Sequence, residues 1–443
     1  MKTECGIVGI STQQKCYQIY QDTIHALSRL QHRGRESCGI AYSQTIKKYL
    51  GLVEDNFNKF QPKFRTNYMV GHTRYSTNGS KNDITLAQPI QKDNIILVHN
   101  GNLPHLDKLK EKHNIKCRND SEFLLEFIIK NLDENVSMIK IIQKILFGIR
   151  GCFCIILLTE SGIFAFRDIY GYRPLCIGQS DNGIIVTSES VALGRYKLIR
   201  DVDPGEVLFI QNGILKYTYN LLHKRKPKMC IFEHIYFMNR NTIADEQHVE
   251  TTRYNLGVQL AKEDKTEFDS ENTIVMAIPK TAIPSAKGYA FAKKIPYIQI
   301  LQKQKKCGRT FILPDNTQRI DMCNKIFYLR GDVADKNIII VDDSIVRGNT
   351  IKGIVKLFSK AKSVHIRVSS PPVTGTCNYG IDIPTKEELI INGNSIEDIR
   401  KEFNVDTLQY LSLEGLQKSM LAKNQGNFCM GCLDGNYNEE LEW

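Results

Sequence analysis

KNIIIVDDSIVRGNTIKGIVKLF, residues 336–358, is the stretch from which the architecture of the C-terminal half can be read. Its near-continuous apolar run suits a strand covered on both faces. Two acids, Asp342 and Asp343, end the strand, a polar loop with one glycine follows, and an amphipathic helix begins after it. No G-x-x-x-x-G-K-[ST] string is present, so this is not a Walker loop. The physics is related: backbone N–H groups of Arg347, Gly348, Asn349 and Thr350 at a helix N-terminus can hold a phosphate. Asp342 and Asp343 can reach sugar hydroxyls or a Mg2+ ion.

Outward from that loop, NTIVMAIP (272–279), PSAKGYAFAKK (284–294) and VHIRVSS (364–370) continue a strand–loop–helix alternation. The pattern predicts a mostly parallel sheet flanked by helices. The first half differs, with short β-rich runs punctuated by Gly and Asn: CGIVGI (5–10), YMVGHTRYST (68–77), NIILVHNG (94–101), GCFCIILL (151–158) and GIIVTSES (183–190). Helical patterns, DTIHALSRLQHRG (22–34) and DSEFLLEFIIKNL (120–132), lie between them. This half reads as a layered α+β domain, closed by the basic run HKRKPK at 223–228. The expected division is a leader at 1–4, a first domain at 5–228, a second at 229–420 and a C-terminal segment at 421–443.

A chain of 443 residues is too long for one ordinary core. Apolar residues at 42% and charged residues at 24% exclude a disordered chain. The longest apolar runs fall far short of the roughly 20 residues a membrane helix needs, and MKTEC has no signal core, so a cytoplasmic protein without a membrane partner is expected. The net charge of +11 is diffuse. Its densest runs, HKRKPK and KQKK (303–306), lack interleaved aromatics and match no groove-reading motif, which argues against nucleic acid. Thirteen cysteines without a secretory signal point to metal binding or catalysis rather than disulfides.

Cys5 directly precedes the apolar run GIVGI. A cysteine at a chain's N-terminus supplies a thiol nucleophile together with an α-amine of pKa about 8 that can act as its base. A peptide-bonded nitrogen cannot accept the proton, so Met1–Glu4 must be removed. Bulky Lys2 disfavours routine methionine trimming, and self-cleavage between Glu4 and Cys5 is expected. Read alone, Cys5 suits better an ordinary core cysteine of the first strand.

Four further strings change that reading: HRGRESCGIA (32–41), GHTRYST (71–77), HNGNL (99–103) and NDSE (119–122). Singly, Arg74 suits a surface ion pair, Asn100-Gly101 a type I′ turn and Asp120 a helix N-cap. Together and in this order they resemble the N-terminal-nucleophile glutaminase domain of class II amidotransferases, an αββα layered fold. The resemblance implies that Cys5 attacks glutamine and that Asn100 with the Gly101 N–H forms the oxyanion hole. It also implies that Arg33, Arg74 and Asp120 bind the glutamine, Arg74 its carboxylate and Asp120 its ammonium.

DDSIVRGNT (342–350) likewise resembles the phosphoribosyl pyrophosphate (PRPP) loop of type I phosphoribosyltransferases, and assigns Ser344 to the PRPP site with its neighbours. Class II glutaminase and PRPP loop together resemble the glutamine PRPP amidotransferases, pentosyltransferases at the entry to purine synthesis. FRDIYGYRPL (166–175), TSES (187–190), CIFEHIYF (230–237), CGRTFILP (307–314), SSPP (369–372) and YGIDIPTKEEL (379–389) agree with that family. The resemblance implies that Lys303 and Arg309 belong to a loop closing over PRPP, shutting out water and forming a passage for ammonia. Ammonia would then attack ribose C1 as pyrophosphate leaves, with Mg2+ on the departing phosphates. A homotetramer and purine nucleotide inhibitors are family properties that no motif here locates.

Cys429 and Cys432 form C-x-x-C near the C-terminus. In iron–sulfur members of the family the partners lie in the CIFE segment and just before YGID, which here hold Cys230 and Cys377. Four thiolates suit a 4Fe–4S cluster, with zinc as the alternative. The remaining eight cysteines read as small core residues.

The chain also departs from the family. Where a P-D-S-G segment is usual near the metal, it has Pro279-Lys280-Thr281-Ala282, leaving the Thr281 hydroxyl as a metal ligand and a lysine in place of the acid. Arg35 and Asn316 each replace a glutamine. These changes keep open a second reading, a catalytically weakened PRPP-binding regulator. A third reading, another class II amidotransferase, has no use for a PRPP loop.

Overall fold

The computed structural model describes residues 5–57, 62–75, 83–133, 135–220, 227–304, 326–377, 379–381, 383, 385–420 and 428–437. The first strands are β1 (Gly6–Cys16), β2 (Ser37–Tyr42), β3 (Thr45–Leu50), β4 (Thr66–Arg74), β5 (Ile90–Lys92), β6 (Ile95–Asn102) and β7 (Cys152–Thr159). β8 (Gly162–Arg167), β9 (Cys176–Ser180), β10 (Gly183–Thr187), β11 (Lys197–Asp201), β12 (Glu206–Gln211) and β13 (Ile214–Asn220) complete the N-terminal half. Among the described residues they form two antiparallel sheets, of order β11-β9-β10-β1-β4-β2-β3 and β13-β12-β8-β7-β6-β5.

Alternation along each strand explains the long apolar runs. Ile7, Val70 and Val186 of the first sheet meet Val98, Ile156 and Leu208 of the second in one core. The side chains one residue on point the other way. Val8 and Ile10 lie under Ile19, Ile24 and Leu27 of the helix Gln18–Arg29. Leu97 and Ile155 lie under Phe123, Leu124, Ile141 and Ile145 of the helices Asp120–Lys130 and Met138–Gly148. A strand covered on both faces has no reason to alternate with polar residues. Each such side chain taken fully out of water contributes about 1.5–3 kcal/mol.

In the C-terminal half a short hairpin, β14 (Ile243–Ala244) and β15 (Gln247–His248), precedes β16 (Thr273–Ala277), β17 (Leu301–Lys303), β18 (Phe327–Leu329), β19 (Asn337–Asp342), β20 (Ser363–Val368) and β21 (Thr407–Tyr410). The expected parallel sheet is present, in the order β16-β19-β20-β21, with Val275 paired to Ile339 and Ile340 to Ile366. Ile339 and Val341 face the helices Val249–Glu263 and Ile283–Lys293, together with Ile231, Phe232 and Ile235. Ile338 and Ile340 face Ile351 and Ile354 of the helix Asn349–Val355. No helix among the described residues is long and apolar enough to cross a membrane.

Candidate active site

Cys5 stands immediately before β1, whose Gly6 pairs with Thr73 of β4. That register brings the nucleophile candidate beside the end of the GHTR string, where the Cys5 Sγ lies 3.6 Å from the carbonyl of Tyr75. Arg74, 6% exposed, is not the surface ion pair that its type alone would suggest. The turn after the first helix lies against it: a Cβ on Gly34 would stand 2.5 Å from the Arg74 carbonyl carbon, so only glycine allows this approach.

Asn100 and Gly101 occupy β6 of the other sheet, paired to Cys154 and Phe153, and are not a hairpin turn. Asn100 is 1% exposed, and its Nδ2 has no hydrogen-bond partner among the described residues. A buried donor without an acceptor costs on the order of 1–3 kcal/mol, and an amide kept in that condition is poised for one. Gly101 is held too close to β7 for any side chain, since a Cβ would lie 2.1 Å from the Cys152 carbonyl oxygen.

The two sheets are tied together at this end. His72, next to Arg74 but one, bonds through Nε2 to the carbonyl of His99 at 3.2 Å. Burial pushes the His72 imidazole down to about 3, so it is neutral and must carry its proton on Nε2 to donate there. His99 Nδ1 meets the Ser121 hydroxyl at 3.1 Å, and Gln88 Nε2 donates to the same hydroxyl at 3.0 Å. Asp120 Oδ1 lies 3.9 Å from His99 Nδ1. The cap of that helix is Asn119, whose side chain accepts from Glu122 N, which leaves Asp120 free of the capping role.

Arg33 lies beside the nucleophile. Its guanidinium is buried and faces Glu189 at 2.6 Å and both oxygens of Glu233 at 2.8 and 3.0 Å, while Nε donates to the Cys5 carbonyl at 3.0 Å. Two buried carboxylates already occupy the fork that a glutamine carboxylate would need. The geometry makes it an immediate neighbour of the nucleophile.

At the other site, Asp342 and Asp343 end β19, 8% and 7% exposed. Burial first, then their mutual repulsion, raises the Asp342 carboxyl; burial pushes Asp343 up to about 6, against the pull of Arg253. The Ser344 hydroxyl donates to Asp343 Oδ1 at 2.8 Å. Gly348 opens the helix Asn349–Val355 at φ 75°, packed so closely that a Cβ would overlap Ile390 and Phe403. Asn349 and Thr350 are its first two residues and are half-buried. Arg347 contributes only backbone to this loop, because its side chain pairs with Glu388. The Ile278 N–H donates to the Val341 carbonyl, which puts the segment of exposed Lys280 and half-buried Thr281 at the same sheet end as Asp342. Lys303 closes β17, its Nζ 5.7 Å from the centre of the Phe327 ring. Arg309, Asn316 and the string CGRTFILP lie outside the described residues, as does the leader Met1–Glu4.

Cys230, Cys377, Cys429 and Cys432 line one small cavity with Tyr172, Arg173, Tyr379 and Tyr437. Cys230 and Cys429 form a parallel bridge, and the Cys377 Sγ accepts from the backbone of Tyr379 at 3.3 Å and Ile381 at 3.4 Å. Burial pushes the Cys429 thiol up to about 11 and raises that of Cys432 well above the usual thiol range. Among the described residues no three His, Cys, Asp or Glu side chains are grouped as ligands of a single metal ion.

Sequence reasoning missed Glu189, Glu233, His72, His99 and Gln88 as site residues. Two carried a signal: Glu233 is the acid inside the apolar run CIFEHIYF, and Glu189 is the single acid of the TSES string, two residues after β10.

A cysteine at the start of a central strand, with a buried amide donor on the facing sheet, joined to a parallel sheet with an acid-ended glycine loop, is the combination of a glutamine amidotransferase and a phosphoribosyltransferase. Residues 72–195 match the family model of the glutamine amidotransferase domain. The amidophosphoribosyltransferase of Methanothermobacter thermautotrophicus is 34% identical over 456 residues, covering 99% of this chain and 95% of that protein. The solved glutamine PRPP amidotransferase from B. subtilis, complexed with ADP and GMP, superposes with a TM-score of 0.85 at 34% identity, over 98% of this chain and 97% of that one. A structure described as the allosteric regulatory enzyme of purine biosynthesis gives 0.86 at 33% identity, over 98% and 96%. The chain belongs to the amidophosphoribosyltransferase family.

Proposed function

We propose that this chain makes 5-phosphoribosylamine from glutamine and PRPP, releasing glutamate and pyrophosphate, as the first step of purine nucleotide synthesis. One pairing carries the reading: a buried, unpartnered amide donor on Asn100 and, in the same chain, a glycine loop closing an acid-ended parallel strand. The first suits an oxyanion and the second a phosphorylated sugar.

In this reading the N-terminal half, residues 5–228, is an αββα glutaminase, 229–420 is the phosphoribosyltransferase, and 421–443 carries two thiols of the metal centre. With residues 1–4 removed, the Cys5 α-amine takes the thiol proton and the sulfur attacks the glutamine amide carbon. The amide oxygen becomes an oxyanion held by Asn100 Nδ2 and the Gly101 N–H; its collapse breaks the C–N bond as the Cys5 α-ammonium returns its proton to the leaving nitrogen, releasing ammonia and leaving a thioester that water hydrolyses to glutamate. Arg74 and Asp120 hold the two charged ends of glutamine. Ammonia then attacks ribose C1, and the C1–O bond to pyrophosphate breaks. The loop from Ser344 to Thr350 holds the 5′-phosphate, and Lys303 and Arg309 add positive charge around PRPP.

Two buried carboxyls whose proton affinity burial raises fit a cation, so Asp342, Asp343 and the Thr281 hydroxyl would hold Mg2+. Bound there, it supplies positive charge to the leaving pyrophosphate. The four thiols sharing one cavity fit a 4Fe–4S cluster, and two backbone N–H groups aimed at Cys377 Sγ suit an anionic sulfur. The cluster's role is structural. The ADP and GMP in the B. subtilis relative support purine nucleotides as ligands here too. Assembly as a homotetramer and a cytoplasmic location rest on the resemblance. The regulator reading gives no reason for an oxyanion-type donor at Asn100.

Mass spectrometry of the purified chain tests the first step, with a mass beginning at Cys5 expected. An intact Met1–Glu4 leader in active protein would sink the role of the α-amine. Glutamine-dependent pyrophosphate release in the presence of PRPP and Mg2+ tests the whole.

A further inference from the structure

The assignment of Cys5 above accounts for its thiol and amine but not for what holds them in place. Once the leader is gone, Cys5 is a chain end attached to β1 through a single peptide bond, and chain ends fray unless tied down. The tie is the Arg33 Nε–H on the Cys5 carbonyl at 3.0 Å, which fixes the Cys5–Gly6 peptide plane and with it the Cα from which the α-amine and the side chain both spring. Arg33 has no freedom of its own. Its NH1 and NH2 grip Glu233 at 3.0 and 2.8 Å, a bidentate pairing that sets the plane of the guanidinium and so the direction of Nε–H.

Glu233 belongs to the other half of the molecule. It begins the helical turn Glu233–Phe237, whose Ile235 and Phe237 pack into the core of the parallel sheet with Val275 and Ile339. Glu189 completes the arrangement from the glutaminase side. One of its oxygens accepts from Arg33 NH1 at 2.6 Å and His32 Nε2 at 2.7 Å, the other from Asn239 N at 2.8 Å and Thr242 Oγ1 at 2.6 Å. Both acids are thereby registered to segment 233–242 of the C-terminal half. Three buried charges are a poor device for stability, since each carries a desolvation penalty of several kcal/mol that well-packed apolar groups would avoid. What they supply is direction.

We infer that Glu233, from the PRPP-using half, is a positioning residue for glutamine cleavage, aiming Cys5 through Arg33. The inference rests on Cys5 being the glutaminase nucleophile and goes one step beyond it. It makes ammonia release depend on a carboxylate of the half that consumes the ammonia.

The test is Glu233→Gln in the full chain, its processing checked by mass. The Gln amide turns an N–H2 toward a guanidinium N–H, so the fork loses one partner. Glutamine hydrolysis should fall roughly 10- to 100-fold in kcat, as expected for a misaimed reacting group, with KM for glutamine little changed. Synthesis from PRPP, Mg2+ and ammonium chloride should be unaltered, because that route bypasses Cys5. Glu233→Asp, which keeps the charge, should recover part of the loss and stands in if the Gln variant fails to fold. In an Arg33→Lys background Glu233→Gln should add little further loss, the mark of two residues acting as a unit. Unchanged glutaminase kcat, a loss confined to KM, an equal loss of ammonia-dependent synthesis, or full additivity with Arg33→Lys would each overturn it. Cys5→Ser is the separate control: glutamine-dependent synthesis surviving in that variant would refute the nucleophile assignment itself.

Discussion

Asp343 donates its backbone N–H to the Oδ1 of Asp342 at 2.9 Å, so two buried carboxyls share the end of β19. Burial favours the protonated form of each, and Asp343 titrates near 6 in the fold. The folded state therefore binds protons more tightly than the unfolded chain. The stability this gives is fully present below about pH 4 and is lost as pH rises through about 6. At neutral pH the pair is a liability on the order of 1–3 kcal/mol that a bound cation relieves. Asp343→Asn should raise the melting temperature of the ligand-free protein at pH 8, by about 2–4 °C for each kcal/mol recovered, while abolishing PRPP-dependent turnover. Thermal melts at pH 5 and 8 check this, with the gain expected mainly at pH 8. A variant that melts lower at pH 8 would contradict the account.

Asn100→Ala removes a donor that has no acceptor among the described residues. The usual loss on truncating a buried polar side chain should be small here, because no hydrogen bond is broken. Glutaminase kcat should drop by about 10²- to 10³-fold, the range for one oxyanion donor, with KM for glutamine nearly constant. A steady-state comparison alongside a thermal melt decides it. A large fall in melting temperature would mean that the amide is structural.

What the sequence disclosed, and what it withheld, follows from the range of the interactions. The parallel sheet was legible in NIIIVDDS because burial on both faces writes a continuous apolar run. Asn100 and Asp120 were legible as members of ordered strings, although their local surroundings were not: a strand where a turn was conceivable, and a cap supplied by Asn119. The acid partners of Arg33 were not legible because they lie 156 and 200 positions away, and no local pattern encodes which acids will meet it. The same holds for His72 and His99, whose bond joins two different sheets.

Gly34 offers a test of glutamine binding that changes no atom of the nucleophile itself. A methyl there would sit 2.5 Å from the Arg74 carbonyl carbon and 2.7 Å from its oxygen, so the backbone of β4 must shift by several tenths of an ångström. In Gly34→Ala the displaced Arg74 should weaken the grip on the substrate carboxylate, raising KM for glutamine at least tenfold if a charge-assisted pair worth about 1.5–3 kcal/mol is lost. Ammonia-dependent synthesis should persist. A normal glutamine KM would show that Arg74 lies elsewhere in the binding scheme.

The thiol cavity gives the sharpest division between two metals, because its walls come from three parts of the chain. Tyr172 and Arg173 follow β8, Cys230 and Cys377 come from the C-terminal half, and Cys429 and Cys432 from the tail. Tyr172 stacks on Tyr379 with ring centres 4.9 Å apart, and Arg173 donates to the Tyr379 carbonyl at 2.6 Å. A group bound by all four sulfurs would close these segments into one loop, stabilising the fold by restricting the unfolded chain. As free thiols, Cys429 and Cys432 resist ionisation, so a bound cationic centre must supply what holds them as thiolates. Protein purified without oxygen should carry roughly four iron and four acid-labile sulfide per chain. Cys432→Ser should lower both together with the melting temperature, and should not selectively slow either half-reaction. Metal analysis showing one zinc and no sulfide would replace the cluster by a tetrahedral site. An unchanged melting temperature on metal removal would deny the centre its structural part.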